Sequence, residues 1–152
     1  MTRTVSALAG ISLASLLIAS STMAQRGPGG RGAGGWGPGT PYGRMYDVKT
    51  VETIHGQVVA VDRFTPEKGM SAGLHLQVKT DGETISVHLG PEWYMDRQDI
   101  AIQAKDSIEV KGSRITFEGK PAIIAAEIRK GDQTLTLRDA SGFPVWSGWR
   151  RR

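Results

Sequence analysis

An all-β barrel of OB type is the fold this chain predicts, on three observations. From about Tyr46 onward, short β-branched runs are divided by Gly, Asp and Lys turns, which is the pattern of strands and hairpins. The first run, "TVETIHGQVVAVDRF" (Thr50 to Phe64), is long for one strand and holds Gly56, as a bend or bulge does. Between the third and fourth runs, "PEWYMDRQDIAI" opens on Pro91 and mixes polar with aromatic residues, as a short connecting helix does. The resulting order β-β-β-α-β-β is that of a small, partly open barrel of five to six strands with a short helix between strands 3 and 4.

The start, "MTRTVSALAGISLASLLIASSTMAQ", reads as a secretory signal over residues 1–24, with Arg3 in the n-region and cleavage after Ala24. Its apolar run is shorter than the roughly 20 residues a membrane-spanning helix needs, so the expectation is a periplasmic or secreted chain with no anchor after cleavage. The chain has no cysteine. An exported domain without disulfides must rely on its core alone, and thiolate, Fe–S and Cys-ligated zinc chemistry are excluded.

Residues 25–48 include "QRGPGGRGAGGWGPGTPYGR", whose Gly, Pro and Arg predict a disordered tether. The barrel is expected over residues 49–140. After the long first strand come "LHLQVK" and "TISVHL" around "TDGE", where Asp-Gly signals a hairpin. Then follow "DSIEVKGSRITF", the turn "EGKP", "AIIAAEIRK", the turn "GD", and "QTLTLRD" as a sixth strand or an extension lying on the barrel. A Trp- and Arg-rich tail occupies residues 141–152.

Taken together, "GQVVAVDRF", "LHLQVKTDGETISVHLGPEWY", "AKDSIEVKGSRITFEGKPAIIAAEI" and "LTLRDASGFPVWSG" resemble small exported bacterial OB-fold proteins. More distantly they are similar to the periplasmic bacterial OB-fold group linked with stress responses. The resemblance covers roughly Thr50 to Gly148 and implies a binding role without catalytic residues. The Gly-rich leader and the Trp-containing tail depart from that group.

Strand alternation names the candidate site. With Asp81-Gly82 as the turn, Val78 faces Ile85, Leu76 faces Val87 and Leu74 faces Leu89, all pointing into the barrel. The outer face then carries His75, Gln77 and Lys79 opposite Thr84, Ser86 and His88, with His75 directly across from His88. The expected ligand-binding set is His75, Gln77, Lys79, Ser86 and His88, on the face OB folds commonly use. Two imidazoles at that spacing, with Met70 in the preceding loop, form a candidate Cu or Zn site. The plain alternative is two exposed histidines on a polar strand face. His55 is a third imidazole whose direction depends on the bend at Gly56. Two adjacent histidines also repel when both are charged, so the pair is a candidate pH sensor.

Other classes carry less. Glu92 and Asp96 share a helix face beside Asp99, but with Arg97 nearby they read as a solvated surface. No G-x-S-x-G elbow is present, and no nucleophile pairs with a base, so no enzyme is expected. Nucleic-acid or polyanion binding would use the basic ends, among them Arg150, Arg151 and Arg152, within a formal charge of +4. The strand 2–3 face has no aromatic platform of its own for bases, which disfavours nucleic acid. Phe143, Trp146 and Trp149 either cover an edge of the barrel or, if exposed, dock an envelope partner.

Overall fold

The structure is a computed structural model that describes residues 34–147. The expected signal at 1–24, the first part of the Gly-rich leader, and the end carrying Trp149 and the three arginines lie outside the described residues. Six strands follow in order: β1 (Val51–Phe64), β2 (Gly73–Lys79), β3 (Thr84–Pro91), β4 (Ser107–Phe117), β5 (Lys120–Lys130) and β6 (Gln133–Thr136). A single short helix, α1 (Glu92–Met95), connects β3 to β4. Among the described residues no helix is long and apolar enough to cross a membrane.

The sheet order β3-β2-β1-β4-β5-β6 closes on itself through a parallel β3–β5 pairing, Ser86 to Ala122 through His88 to Ile124. This is the expected OB barrel of five strands, with β6 added at the edge of β5. β1 closes the barrel by serving two neighbours. Its first half pairs with β4 from Val51↔Ser113 to Gln57↔Ser107, and its second half with β2 from Gln57↔Lys79 to Phe64↔Gly73. The register shift in β1 falls between Val58 and Ala60 rather than at Gly56. Gly56 answers a different demand: a Cβ there would stand 2.5 Å from the Lys79 carbonyl oxygen, where β1 passes close to the end of β2.

The turns follow their residues. Glu118 and Gly119 both have positive φ, 51° and 80°, which is the geometry a two-residue hairpin loop needs between twisted strands. Inside the barrel, Leu76, Val78, Val87, Val110 and Ile128 are fully buried. "AIIAA" on β5 is buried throughout, the continuous apolar run expected of a strand covered on both faces.

The packed unit begins before residue 49. Trp36 and Tyr42, in the stretch expected to be a disordered tether, are each 1 % exposed. Residues 34–50 form a strap with two single-turn helices, Gly43–Met45 and Val48–Thr50. The indole of Trp36 donates to the Ser71 carbonyl at 2.9 Å, and the Asp47 amide donates to the Ser113 hydroxyl at 2.9 Å. The tail closes over the strap: Trp146, also 1 % exposed, donates its indole N–H to the Trp36 carbonyl at 3.0 Å. Two glycines make room for these rings. A side chain at Gly73 would collide with Trp36, and a Cβ at Gly90 would come within 2.9 Å of Trp146. Composition hid the strap because two aromatic side chains, each able to bury a large area, outweigh the entropy of the glycines between them.

Candidate ligand-binding cleft

The β2–β3 hairpin brings His75 opposite His88, Gln77 opposite Ser86 and Lys79 opposite Thr84, as its turn predicts. A register shift between Leu74 and His75 then moves Leu74 opposite Gly90 rather than Leu89. The two histidines stand on the outer face with ring centroids 6.1 Å apart.

That face is not an open polar surface. It floors a cleft of about 570 Å³ walled by Phe64 and Thr65 at the end of β1, and by Phe117 to Ala122 around the β4–β5 turn. His75, Gln77, Thr84, Ser86 and His88 line its floor. Lys79 and Met70 are not among the lining residues; Lys79 is exposed at the end of β2, and Met70 packs beside Gly35 of the strap. Met70 therefore does not join the histidines. Neither does His55, which is exposed on the β1–β4 side and pairs with Glu109 at 3.2 Å.

The two imidazoles have different surroundings. His88 is 1 % exposed, and its Nδ1 is 2.9 Å from the Tyr42 hydroxyl of the strap. The ring stacks near Tyr42 and meets Phe64 and Phe117 at 4.5 and 4.9 Å between centroids. Burial, with the neighbouring His75 adding to it, brings its pKa down to about 3, so the ring is neutral at ordinary pH. His75 is partly exposed, stacks on Phe64 at 4.6 Å, and shares a 3.0 Å hydrogen bond between its Nδ1 and the Ser86 hydroxyl. Burial lowers its pKa as well, opposed by the Asp62 carboxylate 4.0 Å from Nε2. Burial of the Tyr42 hydroxyl raises its pKa, so it stays protonated and able to donate.

Sequence reasoning missed Phe64, Phe117 and Tyr42, the aromatic part of the site. Phe64 ends the longest strand and Phe117 one of the two next longest, and β1–β2 pairing carries Phe64 to the cleft edge; strand length was the available signal. Tyr42 comes from outside the barrel, and only tertiary packing brings it in. The Glu92–Asp96 face is not a paired acid and base either, because Glu92 is gripped by Arg63 through a 2.6 Å hydrogen bond. Of the expected docking residues, Phe143 is 48 % exposed, whereas Trp146 is spent inside the fold and offers a partner no surface. Among the described residues no group of three His, Asp or Glu side chains is arranged to hold a metal ion, so His75 and His88 alone offer nitrogen ligands here.

Closed barrel, strap-covered face and side cleft together define an OB-fold module. The chain belongs to the MamS/MamX magnetosome protein family, whose model matches residues 50–135. The match runs from the foot of β1 into β6 and includes both cleft histidines; Trp36, Tyr42, Arg138 and Trp146 lie beyond it. Comparison with curated proteins finds no match.

Proposed function

We propose that this chain is a non-catalytic, exported accessory protein that acts by holding a small ligand in the β2–β3 cleft. Membership in a magnetosome protein family supports an accessory role there. The observation that carries the reading is the cleft itself: Phe64 and Phe117 give it flat apolar walls, while Gln77, Ser86 and the open side of His75 offer hydrogen bonds on its floor. Such a lining suits a small molecule with a planar apolar body and one polar group. Titrating the ¹⁵N-labelled protein with a panel of aromatic and heterocyclic acids and amides tests it. Saturable shifts should gather at Phe64, His75, Gln77 and Phe117, and Phe117→Ala should weaken them about tenfold, the effect of about 1.4 kcal/mol of lost contact. Shifts absent from these residues throughout the panel would set the reading aside.

A metal ion between His75 and His88 is the second reading. Two register-paired imidazoles 6.1 Å apart support it, as does the neutrality of His88, which leaves little proton competition for a ligand nitrogen. With only two nitrogen ligands its affinity would be modest. Calorimetric titration with Cu(II), Zn(II) and Ni(II), repeated on His75→Ala and His88→Ala, decides it: heat lost in both variants supports a metal, and no heat with any ion removes it. Docking through Trp146 is not supported by its burial.

A further inference from the structure

Arg138 stands in "TLTLRDASGF", where the chain leaves β6 and folds back on itself. Its side chain is 5 % exposed, and its guanidinium carbon lies 5.4 Å from the Tyr46 ring centroid and 5.3 Å from that of Trp146. The cation is thus held between an aromatic of the strap and an aromatic of the tail. Its one hydrogen bond among the described residues runs from Nη1 to the Gly142 carbonyl at 3.0 Å. Nε is buried without a partner among the described residues.

A buried guanidinium ordinarily faces a carboxylate. Every Asp and Glu of the chain falls within the described residues, and none lies within 4.0 Å of Arg138. The adjacent acid, Asp139, is turned away: its Oδ1 accepts from the Ser141 amide, the Ser141 hydroxyl and the Phe143 amide, closing the 139–143 loop. The Nε–Nη2 edge, for which no described residue serves as acceptor, is the side of a guanidinium that matches two oxygens of one anion. Beside Arg138 is a small cleft of about 160 Å³, lined also by Gly39, Tyr46, Ser141 and Phe143.

We propose that Arg138 is the anchor of a second site, separate from the β2–β3 cleft, that takes one small oxyanion of the phosphate or carboxylate class. The cleft admits a single such group and no larger body. Nε is buried, so seating both oxygens on the guanidinium edge shifts the 139–143 loop. The anion supplies the counter-charge that the chain's own acids do not.

The test follows the Arg138 Nε–Hε resonance of the ¹⁵N-labelled protein during titration with inorganic phosphate and, separately, acetate, at ionic strength held constant with chloride. A saturable shift of that resonance, with movement of the Ser141 and Phe143 amides, is the expected result; whichever anion produces it names the source. In Arg138→Gln the Ser141 and Phe143 amides should no longer move. Because that variant also disturbs the aromatic clamp, Ser141→Glu serves beside it, placing a carboxylate at the cleft while keeping Arg138, and it should lose the response with the fold intact. No shift with either anion, a shift matched by chloride alone, or full anion binding in Ser141→Glu would overturn the proposal and leave Arg138 as a packing element.

Discussion

Lowering the pH should unfold this protein through His88. The ring is neutral in the fold, with a pKa brought down to about 3 by burial, against an ordinary value of 6.5 in the unfolded chain. Between those values the unfolded chain binds the proton and the fold does not, so stability is fully in place above about pH 6.5 and falls as pH drops toward 3. At about 1.36 kcal/mol per unit, the whole gap is worth roughly 4–5 kcal/mol, of which about 2 kcal/mol is lost by pH 5. His75, also lowered, adds to the loss with the same sign. Urea unfolding at pH 7.5 and at pH 5.0 reads this, compared between the native protein and His88→Phe, which keeps an aromatic among Tyr42, Phe64 and Phe117. The native protein should lose about 2 kcal/mol more than the variant across that interval. Equal losses, or an NMR titration in which the His88 ring protonates near pH 6.5 in the folded state, would refute the reasoning.

Three further outcomes check the strap, the glycines and the ion pairs. Trp36→Ala should cost about 3–5 kcal/mol in urea unfolding, the loss expected of a fully buried indole, whereas a free tether would lose nothing. Gly73→Ala should cost about 1–3 kcal/mol through overpacking against Trp36, and indole fluorescence should shift to the red as that ring is displaced. Arg114 bridges Glu52 and Glu83 at 2.9 and 2.8 Å, but the cluster is about one-third exposed; Arg114→Met should change the unfolding free energy by no more than about 1 kcal/mol.

The barrel was legible because its signals are local. Period-two alternation in β2 and β3, the Asp81-Gly82 turn, and the Pro91 break each act over a few residues, and together they place His75 across from His88. Burial of that pair was not legible. Alternation says which face of a strand a side chain takes, but not what later covers the face. Here the cover comes from Tyr42, 46 positions before His88, and from Phe117 beyond the next connection. The bulge between Leu74 and His75 escaped for a similar reason: it adjusts the strand end beside Gly90, where Trp146 packs, and no turn residue announces it.

Strap and tail do more than add stability, because they set the chemistry of the face they cover. Without Tyr42, His88 would lose the one side-chain hydrogen-bond partner it has among the described residues, together with much of the burial that keeps it uncharged. Tyr42 is held by the edge contact of its ring with Trp36 at 5.1 Å, Trp36 by the indole of Trp146, and Trp146 by the cation of Arg138. A continuous chain of contacts therefore runs from the Arg138 guanidinium to the floor of the cleft. All of its intermediate members lie outside residues 50–135, the span matched by the family model. The matched barrel supplies the cleft histidines and the Phe64 and Phe117 walls, and the flanking strap decides whether His88 stands as a charged surface group or as a neutral, covered ring.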